Sequence, residues 1–162
     1  MFEPVCSIDQ AEGLRQLMTV IPARQVLVFV TSSMLDRPQL YRKLVSEMSL
    51  RDTSCLSEVD VTEINTLEHL SQNDREIVIC LNYTAQGIKQ AYLMLKILAN
   101  HSRCTQIGIY VVANTSRQAN TIFSNLYQLA QCSLSIPISF VGHSTLALHC
   151  STQRNLSCSR MC

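Results

Sequence analysis

A chain of 162 residues is long enough to fold as one domain, and an apolar fraction of 47% can supply its core. Only 15% of the residues are charged, against about 25% in a typical globular protein. This suggests that a partner covers part of the surface, a soluble monomer being the alternative. The net charge of +1, with no block of Lys and Arg, argues against a nucleic-acid binder, which needs clustered cations to meet phosphates.

The opening MFEPVCSIDQAEGLRQLM carries an early Asp and Glu and no unbroken apolar stretch, so it does not read as a secretory signal. The longest apolar run, Val26 to Val30, is too short to cross a bilayer. A cytoplasmic protein without a stable membrane anchor is expected.

Ser7 to Thr19 reads as a helix, with Ser7 and Gln10 forming a capping box. Asp9 and Glu12 lie near the positive end of its dipole. Ile8, Ala11, Leu14, Leu17 and Met18 fall on one face by the 3.6-residue period. Helices this short are marginal alone and need a surface to pack on.

Pro22 breaks the chain, and Gln25 to Val30 then reads as a buried strand. After the Thr31-Ser-Ser turn, Pro38 suits the first turn of a helix whose apolar face is Leu40, Tyr41, Leu44, Val45 and Met48. Arg51 to Val61 is ambiguous, with a short strand at Cys55 to Val59 as one reading. Asp60 and Glu63 can cap a further helix bearing Ile64, Leu67 and Leu70.

Glu76 to Asn82 is a strand, and Thr84 can cap a helix running to about Ala99. A strand at Gln106 to Ala113 follows, then a helix capped by Ser116, then a last strand from Pro137 to Val141 ended by Gly142. Strand, helix, strand, helix, strand makes two consecutive βαβ units, which call for a parallel sheet covered by helices. From Ser144 the composition turns to Ser, Cys, Gln and Asn, and a loose tail is expected.

The eight cysteines are scattered without CxxC spacing, so they read as small hydrophobes, Cys80 inside an apolar strand among them. His143, His149 and Cys150 lack the spacing of a zinc site. No metal site is expected. Ser and His occur only in isolation, without a triad setting, so no catalytic residue is assigned.

Two stretches resemble a known family. Asp9-Gln-Ala-Glu-Gly-Leu-Arg15 matches the DQAxxLR motif at the N-terminus of FlhG proteins. Ala91-Tyr-Leu-Met-Leu-Lys-Ile-Leu98, Val112-Ala-Asn114, Ser116-Arg-Gln118, Ile122-Phe123 and Ile138-Ser-Phe-Val-Gly142 are similar, in order, to the C-terminal half of the FlhG/FleN ATPase domain. Gln25 to Thr31 is similar to that family's first strand. FlhG and FleN are MinD/ParA-type regulators of flagellar number.

The resemblance implies a truncated MinD/ParA-like P-loop NTPase fold, α/β with a mostly parallel sheet flanked by helices and preceded by an N-terminal helix. Residues 1–21 would be a docking helix, 22–143 a degenerate α/β domain and 144–162 the tail. It further implies that Asp9, Gln10, Ala11, Leu14 and Arg15 dock on an FlhF-like GTPase at the cell pole, and that Asn114 stands where the family contacts adenine.

The departures bear on ATP. Where the family has a glycine-rich phosphate loop, this chain has Thr31-Ser-Ser-Met-Leu-Asp-Arg37, with neither glycine nor lysine. Side chains on each residue obstruct close backbone approach to a phosphate. The family's second-strand aspartates are missing, Asp60 being a poor stand-in, and so is its amphipathic membrane helix. The expectation is a regulator that binds FlhF without hydrolysing ATP and needs no cofactor. The alternatives are an active ATPase with an atypical phosphate site for Mg-ATP, and an antiactivator of a flagellar transcription regulator.

Overall fold

Five strands form in a computed structural model that describes residues 24–60, 76–101 and 106–145, the first, third and fourth of them runs of β-branched and aliphatic residues. They are β1 (Val26–Val30), β2 (Leu56–Glu58), β3 (Glu76–Asn82), β4 (Ile107–Ala113) and β5 (Ile138–Thr145). Three helices join them: α1 (Arg37–Glu47), α2 (Ala85–His101) and α3 (Ser116–Leu129). All pairings are parallel, and the sheet order is β2-β1-β3-β4-β5.

That order decides where the helices lie. From β1 the chain steps outward to β2, whereas β3 to β4 to β5 steps the other way. Right-handed crossovers therefore put α1 on one face of the sheet and α2 and α3 on the other. The side chains agree, because successive strand residues point to opposite faces. Leu27, Phe29, Ile77, Ile79, Leu81, Ile109 and Val111 are buried with Leu95, Leu98, Ile122 and Leu126 of α2 and α3. Val26, Val28, Val78, Cys80, Tyr110 and Val112 are buried with Leu40 and Leu44 of α1. Burying each such side chain contributes about 1.5–3 kcal/mol. A sheet covered on both faces explains why β3 and β4 read as continuous apolar runs with no alternation.

The body of the expected helix after Asp60, with Ile64, Leu67 and Leu70, and the N-terminal helix Ser7 to Thr19 lie outside the described residues. Three expectations inside them need correction. The N-cap of α3 is Thr115, whose side chain accepts from the Gln118 amide, and Ser116 is the first helical residue. The last strand does not stop at Gly142. It runs to Thr145, with His143, Ser144 and Thr145 paired to Val111, Val112 and Ala113, so Ser144 and Thr145 belong to the sheet. The strand passes Gly142 because a bulge intervenes: Ile109 faces Phe140 but Tyr110 faces Gly142, leaving Val141 as the extra residue. Val141 lies across Gly108, where a Cβ would stand 2.4 Å from its Cγ2. The ambiguous stretch after Arg51 resolves as a 3-10 turn at Thr53–Cys55 leading into β2.

Candidate functional site

In open parallel sheets, ligands bind outside the carboxyl ends of the strands where the strand order reverses. Here that point lies between β1 and β3. The residues after β1 are Thr31, Ser32 and Ser33, and those closing β3 are Asn82, Tyr83 and Thr84.

The crevice between these ends is filled by protein. Asn82, 7% exposed, closes β3 and turns its side chain across the gap. Its Nδ2 donates to Ser32 Oγ at 3.2 Å, and its Oδ1 accepts from Thr84 Oγ1 at 2.7 Å. Thr84 Oγ1 in turn accepts from the Gly87 amide at 3.1 Å, so the expected Thr84 cap of α2 is present. Gly87 leaves room for this, since a Cβ there would stand 2.0 Å from Asn82 Oδ1. One hydrogen-bonded network thus joins the first turn of α2 to the loop after β1.

Three of that loop's amides are already bonded. Thr31 N–H donates to Cys80 O at 3.0 Å, Met34 N–H to Ser32 Oγ at 3.2 Å and Leu35 N–H to Ser32 O at 3.5 Å. The first free turn of α1, where a dipole favours an anion, is capped by Asp36, which accepts from Gln39 N–H at 3.4 Å. The local cation is committed as well. Arg37 folds back on the loop, its guanidinium donating to Ser32 O at 2.7 Å, Leu35 O at 3.2 Å and Glu58 Oε1 at 3.1 Å. Glu58 also accepts from Tyr41 Oη. Burial and the Glu58 carboxylate push the Tyr41 phenol well above the usual tyrosine range, so it stays a donor.

Beside this loop a cavity of about 470 Å³ opens between the ends of β1 and β2, lined among others by Thr31, Ser32, Arg37, Glu58 and Asp60. One cation and two carboxylates give it a net negative lining. Asp60 thus lies at the cavity wall. Thr31 Oγ1 is buried nearby with no hydrogen-bond partner. Such an orphan hydroxyl costs about 1–3 kcal/mol.

Asn114 directly follows β4 and is exposed, its amide donating to Gln118 Oε1 at 3.0 Å. It belongs to the turn that caps α3, and the network described above involves Ser32, Asn82, Thr84 and Gly87 instead. Asp9, Gln10, Ala11, Leu14 and Arg15 lie outside the described residues.

Sequence reading missed a further pairing. His143 Nε2 lies 2.8 Å from Ser116 Oγ, bringing together two residues 27 apart in the chain. The strand extension past Gly142 makes this contact, and no spacing rule could have found it. Ser116 is exposed and His143 half-buried, and the imidazole stacks on Phe140 at 6.2 Å between ring centres. A nucleophile–base pair needs a third group to orient the base. Here an aromatic ring occupies that flank, so the pair reads as a surface hydrogen bond.

Among the described residues no cluster of three His, Cys, Asp or Glu is placed to hold a metal, and no helix is long and apolar enough to cross a membrane. Cys55, Cys80 and Cys132 are free thiols. No protein-family model, curated protein or solved structure matches the chain.

Proposed function

We propose that this chain is a flagellar-number regulator of the FlhG/FleN type that acts by binding a partner without hydrolysing ATP. The segment Asp9 to Arg15 carries the docking motif, and an FlhF-like GTPase at the cell pole is the partner that motif would meet. Leu14 and its apolar neighbours supply the anchors of a helix-in-groove contact. Arg15 supplies a charge-assisted hydrogen bond to an acid or phosphate.

The observation that carries the non-hydrolysing half of this reading is the loop Thr31 to Arg37. The Thr31, Met34 and Leu35 amides are spent on Cys80 and Ser32, Asp36 occupies the helix N-terminus, and Arg37 is bound to Glu58. A triphosphate entering there would meet carbonyl oxygens and carboxylates. Holding a transferable phosphoryl group requires the opposite, amide donors and a free lysine with magnesium.

Purified chain mixed with FlhF and GTP tests the docking half: GTP turnover should rise, and Leu14→Ala should abolish the rise. Unchanged turnover in both would defeat it. Calorimetric titration with Mg-ATP tests the other half, with no heat expected at micromolar nucleotide. Saturable binding that Thr31→Tyr abolishes would instead favour an atypical ATP site in the cavity beside β1. Capture of a flagellar transcription regulator that survives deletion of Asp9 to Arg15 would favour the antiactivator.

A further inference from the structure

We propose that Val20-Ile21-Pro22-Ala23, which lie outside the described residues, cross the amino end of the sheet with the Ile21 side chain seated in a cavity between α1 and β5. That cavity, of about 290 Å³, is lined among others by Arg24, Glu47, Met48, Val78, Gly108 and Val141. It lies at the end of the sheet opposite the loop Thr31 to Arg37. An apolar cavity of about 150 Å³ accepts a benzene ring, so this one has room for an isoleucine side chain.

The point where the segment joins the sheet fixes its reach. Arg24 is held at the cavity wall by three hydrogen bonds. Its Nε and Nη2 donate to the two Glu76 carboxylate oxygens at 2.7 and 2.8 Å, and its Nη1 donates to Met48 O at 2.9 Å. Neighbouring strands stand about 4.8 Å apart, and from β1 the order runs β3, β4, β5. β4 therefore lies about 10 Å from β1. Ile21 precedes Arg24 by three residues, a span of about 10 Å when extended. A chain that turns across the amino end of the sheet thus brings Ile21 beside Gly108 and Val141, which lie against each other. Pro22 favours this course, because it locks its own φ and holds Ile21 out of the helical region. So short a tether also presents Ile21 at an effective concentration in the millimolar range.

Chemistry selects the same occupant. Arg24 and Glu76 neutralise each other in the cavity wall. The Glu47 stem packs on Gly142, with Cδ 3.1 Å from where a Cβ would stand, and the residue is exposed, so its carboxylate keeps water. Met48, Val78 and Val141 are what remains for an incoming group to touch, and all three are apolar. Val20 to Ala23 carries no charge and no side-chain hydrogen-bonding group. Leu14 and Leu17 are not needed in the seat, so the apolar face of the preceding helix stays open and is presented from a fixed point. That consequence rests on the docking reading of Asp9 to Arg15, whereas the seating itself does not.

NMR of the full chain with labelled isoleucine, leucine and valine methyls tests this, Ile21→Val identifying the Ile21 signal. The Ile21 δ1 methyl should show cross-relaxation to the Val141 methyls. Ile21→Ala should shift the Val141 methyl and Gly108 amide signals and leave Ile122, on the other face of the sheet, unchanged. No contact between Ile21 and Val141, or Val141 signals indifferent to Ile21→Ala, overturns the proposal. So does contact of Leu14 or Leu17 with Val141 in place of Ile21, which would bury the docking face. Failure to stimulate a GTPase leaves these signals as they are, so the two readings fail separately.

Discussion

Gly87 and Asn82 show how a single missing side chain decides the chemistry of the strand-order reversal. The amide of Asn82 fills the space that a Cβ on residue 87 would take, at 2.0 Å from Oδ1. Gly87→Ala must therefore eject Asn82 and break its bonds to Ser32 and Thr84. A cost of about 2–3 kcal/mol is expected in urea unfolding, from overpacking plus lost buried hydrogen bonds. Because both substitutions destroy one network, Gly87→Ala added to Asn82→Ala should cost much less than the sum. Additive losses would mean that the two residues do not share the space. The sequence named Thr84 as a cap, but it could not announce this network. Asn82 and Ser32 are 50 residues apart, and nothing local marks them as neighbours.

Among the elements, helix ends were harder to read than helix faces. Leu40 and Leu44 are buried as their spacing requires, with Tyr41, Val45 and Met48 partly buried beside them, because the 3.6-residue period records which side meets the sheet. Caps depend on backbone geometry, so Thr115 and Ser116, adjacent and chemically alike, could not be separated by type. The end of α1 holds an untapped reserve. Leu50 N–H returns to Val45 O at 2.9 Å, and between them Ser49 sits at φ 52°. This left-handed position after a helix is normally glycine. The Cβ penalty there is about 1–2 kcal/mol, of which glycine's larger unfolded-state entropy cancels about 0.5–1. Ser49→Gly should therefore gain about 0.5–1 kcal/mol and raise the melting temperature by roughly 1–4 °C. A lower melting temperature would mean that the Ser49 side chain contributes more than its backbone costs.

Over the whole molecule, the parallel sheet was legible because β3 and β4 are fully buried runs, and only helices on both faces can cover such strands. The packing of Phe123 on Phe140 was not, since the two meet only after the chain has crossed from α3 into β5. The same burial gradient predicts how the molecule opens. Cys80 lies on β3 with no exposed surface, Cys55 sits in the turn before the three-residue edge strand β2, and Cys132 is exposed just past α3. Opening at a sheet edge costs less than global unfolding. Alkylation proceeds through the thiolate, and burial pushes the Cys80 thiol far above the usual cysteine range. A pulse of iodoacetamide read by peptide mass spectrometry should modify Cys132 at once in native buffer. Cys55 should follow as β2 detaches, with little dependence on urea. Cys80 should wait for the global transition, its labelling rate rising with urea in parallel with loss of circular dichroism. Labelling of Cys80 at the rate of Cys55 without denaturant would show that β3 opens together with the edge, which its hydrogen bonds to β1 and β4 on both sides forbid.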